Sequence, residues 1–284
     1  MSHAGNFSAD KSKANIAVIG AGWWSQGWHL PHLERNPQAN IAAIVDKATH
    51  PKSDLNPNLE SLEFLSMKYS VPIFSTVQDM LQDVNVSAKI DGVIIATPHS
   101  THYEIAELLF QEDERRKRAA SKSRGSIYKP LHLLVEKPVT TDVHQAKKLQ
   151  DHVTKHYNNK DDRSGCFLIN HTANYRIQAK KARDLVEHGQ IGTIRHINAS
   201  MACPLSWLFD SPGNKGWTEP TSDEMIGNGF CWGQTSHLLA WIFHVCPTLH
   251  PQKVFCAMNY SPVTTADVSH SATIICTDAV PNGK

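Results

Sequence analysis

The 284-residue sequence has no run of about 18 consecutive apolar residues, so no segment reads as a conventional membrane-spanning helix. It has no excess of one charge: 28 Lys and Arg against 27 Asp and Glu leave a formal +1, which gives no case for nucleic acid as the main partner. It has no C-x-x-C pair. The six cysteines (Cys166, Cys203, Cys231, Cys246, Cys256 and Cys276) all fall in the second half, most of them inside apolar runs. That usage fits reduced core thiols rather than a disulfide framework or a zinc site, and no metal is expected. The polar opening MSHAGNFSADKSKA lacks the apolar stretch of a secretory signal. Residues 1–14 read as a disordered tail, a cytoplasmic location follows, and neither membrane nor nucleic acid is expected as partner. No internal repeat is visible.

What is present is an alternation of short apolar runs with helical stretches, the pattern of βαβ units and a parallel sheet. Strands are expected at Asn15–Ile19, Ile41–Val45, Val71–Phe74, Ile90–Ala96, Leu131–Val135 and Phe167–Asn170. Helices are expected at Trp24–Arg35, Leu59–Tyr69, Thr76–Val84, His102–Gln111, Thr141–His156 and Ala179–His188, the last capped by Gly189. Residues 112–130, with Glu114-Arg115-Arg116-Lys117-Arg118, read as a charged, solvated surface insertion. From Ile194–Met201 onward the pattern changes to alternating strands, with Lys253–Asn259 and Ala272–Thr277 following. The expected fold class is therefore α/β: a Rossmann doubly wound parallel sheet over 15–172, then an α+β domain with an open, mostly antiparallel sheet over 173–284.

The strongest local signal is Gly20-Ala21-Gly22-Trp23-Trp24-Ser25, directly after a strand and opening a helix. Gly20 permits a tight turn, Gly22 lets a pyrophosphate approach the backbone, and the helix N-terminus supplies N–H groups. Ser25 takes the third small position, where helix meets strand. Asp46 ends the second strand 24 residues beyond Gly22, about where a carboxylate takes the ribose hydroxyls of NAD. Trp23 and Trp24 either wall the cofactor cleft or pack on the helix, and packing is the commoner role. Asp46 repels a 2′-phosphate whereas Lys47 attracts one, so between NAD and NADP the balance favours NAD.

With these residues the protein resembles the glucose-fructose oxidoreductase, inositol dehydrogenase and rhizopine catabolism family (Gfo/Idh/MocA). The resemblance extends through His29-Leu30-Pro31, the segment Ala96–His102, Glu136-Lys137-Pro138 and Glu187–Ile194. It implies a cofactor lying against Thr97, Pro98, His99, His102 and Glu136, with Lys137 facing both cofactor and substrate. A lysine following a strand of an open α/β sheet also stands where ligands bind on general grounds, and desolvation would lower its pKa. The resemblance further implies that His237 exchanges the hydroxyl proton while hydride moves between substrate carbon and nicotinamide. The family pattern has an Asp four residues before that His; here the position is Gly233, with the uncharged Gln234 beside it.

Asn170, His171, Asn174, Tyr175 and Arg176 follow a strand end and are candidate polar contacts to substrate. Trp207, Trp217 and Trp232 either line a sugar pocket or pack in the core. Relatives run on for several more strands, so the resemblance implies truncation at the C-terminus, with the second sheet cut to three strands and one face uncovered, the surface through which relatives form homo-oligomers. The expected activity is an NAD(P)-dependent oxidoreductase acting on a secondary alcohol or ketone of a sugar, polyol or related small molecule. The alternatives, prompted by Gly233 and the early stop, are a non-catalytic dinucleotide-binding or regulatory protein and an NAD-dependent glycoside hydrolase.

Overall fold

In a computed structural model the described residues are 13–53, 56–123, 127–157, 164–219 and 229–278. They fall into two compact units: 1–135 with 150–168, and 136–149 with 169–284. The second unit thus takes in residues 136–149 as well as those from Ile169 onward. The disordered tail expected for 1–14 lies outside the described residues except for Lys13 and Ala14.

The first unit follows the βαβ rhythm. Strand β1 (Ala14–Ile19) leads through a π-helical turn (Ser25–His29) into α1 (Leu30–Arg35) and β2 (Ala39–Val45). Next come α2 (Leu62–Tyr69), β3 (Ile73–Phe74), α3 (Val77–Gln82), α4 (Val84–Ser87), β4 (Gly92–Ile95), α5 (His102–Lys122) and β5 (His132–Val135). Helix α6 (Val143–His156) and strand β6 (Phe167–Ile169) follow. The sheet order β3-β2-β1-β4-β5-β6 is that of a Rossmann fold, with the order reversing between β1 and β4. All four residues of β4 are buried, as expected of a central parallel strand covered on both faces. On one face Val18, Ala21, Leu30, Ile44, Leu62, Leu65 and Val71 form a common core.

Capping residues set the helix starts. Ser61 accepts the N–H of Phe64, Thr76 that of Asp79, and Asp83 those of Asn85 and Val86. Helix α5 is longer than its sequence pattern predicts, running through residues expected to form a solvated insertion. Its run of charges is partly a buried clasp. Glu112 and Asp113 are only 6% exposed. Glu112 accepts Arg115 at 2.6 Å and Arg116 at 2.9 Å, and Arg116 reaches on to the carbonyls of Ile90 and Ser87. Asp113 takes the N–H of Leu131 and the hydroxyl of Tyr128. Each buried carboxylate thus has its own donors, which is what allows charged residues to occupy the inner face of α5.

The second unit contains a 3-10 turn (Thr172–Tyr175), α7 (Ile177–Glu187), α8 (Ser206–Phe209), α9 (Lys215–Thr218), a second π-helical turn (Cys231–Thr235) and α10 (Ser236–Val245). Strands β7 (Leu249–Tyr260) and β8 (Asp267–Asp278) pair antiparallel. Gly189 ends α7 as expected: it is left-handed, its N–H bonds Val186 and that of Gln190 bonds Leu185, a Schellman motif. The strand expected at Ile194–Met201 does not form. Among the described residues this segment has no ladder partner, and strand character requires one, so the second sheet has two strands rather than three. The cysteines are all free, but only Cys246 is buried and Cys256 is exposed on β7, so the expectation of core thiols holds for one of them.

Candidate functional site

The glycine turn sits at the switch point of the first unit's sheet. Gly20 has φ +94°, and a Cβ there would lie 2.5 Å from the carbonyl oxygen of Ala96 and 2.8 Å from the nitrogen of Thr97, where β4 ends. Glycine at 20 is therefore demanded by the fold itself. Gly22 is different: its φ is ordinary and a Cβ would meet nothing within 4 Å. Packing does not require glycine at 22, so the backbone there is open to an approaching ligand. Asp46 closes the turn by accepting the N–H of Ala21 at 2.7 Å through Oδ2, with Oδ1 on the N–H of Ala48. Gln26 braces the same turn, donating to the carbonyls of Ala21 and Glu60 and accepting the N–H of Glu60. Nothing in the G-x-G pattern singles out Gln26.

Ser25 is fully buried, consistent with a small residue at the helix–strand contact. Trp23, Trp24 and Trp28 form a ladder of rings with centroids 5.1 and 5.6 Å apart, continued by Trp28 on His32. Trp23 and Trp24 thus pack on each other and on Trp28 at the helix start. After β4, Thr97 accepts the Thr101 hydroxyl, and its carbonyl lies 2.9 Å from Nε2 of His102. His102 is 1% exposed and His99 is also buried, whereas Pro98 is exposed. His102 thus braces the strand-end peptide from within the core. A glycine turn after β1, an open backbone at Gly22, a helix start and a carboxylate ending β2 form a donor set that fits a dinucleotide.

The second unit gathers a polar cluster around Lys137. Its Nζ donates to the carbonyl of Gly233 at 2.7 Å and lies 5.4 Å from the centre of the Trp217 ring, a cation–π contact. Glu136, buried, takes the side-chain amide of Asn170 at 2.6 Å on Oε1. His171, next in sequence, packs edge-on against His237 with ring centres 5.4 Å apart. Its Nδ1 is buried without a hydrogen-bond partner. Asn170 and His171 leave the end of β6, and His237 lies in the first turn of α10.

These groups determine each other's charge. Burial lowers the pKa of Lys137, while Glu136 and Cys203 pull it up. Burial and then the Lys137 charge lower His171. Burial first, then Lys137 and His171, push His237 down to about 4. At neutral pH both imidazoles are therefore neutral, so His237 has a lone pair able to accept a proton beside the side chains of Lys137 and Glu136.

Gly233 is explained by Trp217. A Cβ at 233 would lie 2.7 Å from Cζ3 and 3.3 Å from Cε3 of that ring, so the indole occupies the space a side group would need. Where the family pattern has a carboxylate, this protein has an aromatic face over Lys137. The one signal in the sequence was the glycine itself, which implies something bulky nearby without saying what. Gly229 is likewise obligatory, lying against the backbone of Asp267, whose carboxylate accepts the N–H of Cys231 at 2.6 Å and starts the π-helical turn. Gln234 lies in that turn between Gly233 and His237. Tyr175 and Arg176 are exposed, the Tyr175 hydroxyl on the carbonyl of Ile169 and Arg176 beginning α7. Of the other tryptophans, Trp207 is 53% exposed with its indole N–H on Pro204, and Trp232 is half-buried.

Residues 14–115 match the family model described as "Oxidoreductase family, NAD-binding Rossmann fold" (GFO_IDH_MocA). The D-xylose 1-dehydrogenase (NADP+) of Haloarcula marismortui is 19% identical over 205 residues, 72% of this chain and 48% of that protein. This chain thus spans about half the length of the curated relative it matches. Among solved structures, scyllo-inositol dehydrogenase from Lactobacillus casei, with bound NAD(H) and scyllo-inositol, superposes with a TM-score of 0.67 at 18% identity. That match spans 93% of this chain and 66% of the other. Myo-inositol 2-dehydrogenase from Lactobacillus plantarum gives 0.66 at 18% identity, spanning 95% and 68%. No helix among the described residues is long and apolar enough to cross a membrane. Fold, motif order and family match agree over residues 14–115, which match the Gfo/Idh/MocA oxidoreductase family model and carry its NAD-binding Rossmann fold.

Proposed function

We propose that this protein is an NAD(P)-dependent oxidoreductase that interconverts a secondary alcohol and a ketone on a sugar, polyol or related small molecule. The observation that carries the reading is the Lys137, His171 and His237 cluster, in a protein whose first unit has the family's dinucleotide fold. The first unit supplies the dinucleotide site: Gly20 and Gly22 for the turn, Ser25 for the helix start, Asp46 for the ribose, Thr97 and Pro98 at the end of β4. Bound there, the nicotinamide supplies hydride transfer. The protein's own residues handle the proton. Neutral His237 accepts it from the substrate hydroxyl, Lys137 holds the negative charge that develops on that oxygen, and Glu136 with Asn170 orients the peptide carrying Lys137. Gln234, Tyr175 and Arg176 are secondary candidates for substrate contact.

NAD is favoured over NADP. The Asp46 carboxylate, fixed by Ala21, would face a 2′-phosphate with like charge, although Lys47 adjoins it and the Haloarcula relative's name carries NADP. A cytoplasmic protein that meets a second copy through the exposed β7–β8 hairpin, with no nucleic acid or membrane partner, completes the reading. Calorimetric titration with NADH and, separately, NADPH tests it, followed by a screen of sugars and polyols. Asp46→Asn is the control of choice because it keeps the acceptor for Ala21 while removing the charge. NADH binding in the micromolar range that Asp46→Asn weakens supports the proposal. A folded protein that takes up neither dinucleotide refutes it.

A further inference from the structure

The first unit carries a cluster that the proposed reaction does not use. On α6, His152 and His156 stand four residues apart and so share one helix face. On α5, Glu114 meets them. One ring nitrogen from each histidine and one carboxylate oxygen all lie within 4.8 Å of one another. The two rings are 4.7 Å apart. His152 is held by a stack on Phe110, centroids 3.9 Å and planes 13° apart, and Phe110 lies one turn before Glu114 on α5. Phe110 is itself buried against Tyr157 and Phe167. Two helices are thus locked in register by an aromatic contact directly beside three potential ligands.

We propose that Glu114, His152 and His156 form a divalent transition-metal site, with Zn2+ as the ion of choice. Two imidazoles and one carboxylate suit Zn2+ rather than Mg2+ or Ca2+, which prefer all-oxygen shells, and three protein ligands leave the fourth tetrahedral position for water. Ligand atoms around tetrahedral Zn2+ stand about 3.4 Å apart, given bonds of about 2.0–2.1 Å. Closing the present spacing needs up to about 1.4 Å of movement, which rotation of the exposed Glu114 and His156 side chains provides. Glu114 has one competitor: Arg118 bonds its Oε2 at 2.9 Å. That pair is well exposed and weak, and it leaves Oε1 for the ion. Lys155, between the two histidines in sequence, adds a positive charge that limits affinity. The bound ion would pin the charged C-terminal half of α5 to α6.

The test uses the full-length protein without a histidine tag, in competition for Zn2+ against a chromophoric chelator. The protein has 17 histidines, so the comparison between wild type and variants decides the matter. The wild type is expected to take up one equivalent, His156→Ala and Glu114→Gln to bind at least about tenfold more weakly, and Co2+ to give a visible absorption band with the wild type alone. Zn2+ should raise the melting temperature of the wild type and leave that of His156→Ala unchanged. If circular dichroism shows His156→Ala to be misfolded, Glu114→Gln alone decides. A wild type that fails to compete for Zn2+, or a folded variant that binds as tightly as the wild type, overturns the proposal.

Discussion

Gly233 and Trp217 exclude each other, and that exclusion can be measured. Ordinary carbon–carbon contact is about 3.5–4.0 Å, so the 2.7 Å separation a Cβ at 233 would have from Cζ3 of Trp217 obliges the ring or the π-helical turn to move by about 1 Å. Overpacking of that kind costs about 1–3 kcal/mol. The intrinsic gain of alanine over glycine in helical backbone, up to about 1 kcal/mol, offsets part of it. The coupling is therefore a cleaner readout than the single variant. In a Trp217→Leu background the obstruction is gone, and Gly233→Ala should be neutral or mildly stabilising. The difference between the two backgrounds should equal the overpacking term, about 1–3 kcal/mol. Denaturant midpoints at constant slope give the four stabilities. A coupling below about 0.5 kcal/mol, within ordinary additivity, would falsify the packing argument. Because the Lys137 ammonium bonds the Gly233 carbonyl, Gly233→Ala should also lower turnover of the proposed reaction.

Three further outcomes are expected. Gly22→Ala should abolish dinucleotide binding with unfolding unchanged within about 0.5 kcal/mol, whereas Gly20→Ala should destabilise by about 2 kcal/mol or more, because it combines a left-handed φ with a collision at Ala96. Calorimetry and denaturation of both variants separate the two effects. Between about pH 6.5 and about 4 the unfolded protein binds a proton at His237 that the folded protein refuses, so stability should fall as pH drops through that window. His237→Gln should flatten the slope, with His171 contributing in the same direction. Arg116→Met should cost about 1–3 kcal/mol, because it leaves the buried Glu112 carboxylate only its exposed partner Arg115 and takes the donor from the carbonyls of Ile90 and Ser87. Burial raises that carboxyl, but Arg115 and Arg116 hold it below its ordinary value, so in the wild type its contribution is present above about pH 4.5 and is lost on acidification below that. Thermal unfolding of wild type and variant across pH reads both.

The parallel sheet, the glycine turn, Asp46 at the end of β2 and the place of Lys137 after β5 are all legible in the sequence. They follow from period, turn chemistry and the order of elements, which are local properties. Residues 112–122 are not, since a run of charge looks solvated until a fold supplies buried partners: Arg116 for Glu112, Leu131 and Tyr128 for Asp113. Ile194–Met201 likewise reads as a strand, yet its extended potential finds no ladder partner among the described residues. That His171 stands against His237, that Trp217 fills the space beside Gly233, and that Glu114 meets His152 and His156 emerge only once the elements pack. Each of these contacts joins residues on different helices and turns, well separated in sequence. Which side groups meet there depends on how those elements are placed against one another, and no local pattern encodes that placement.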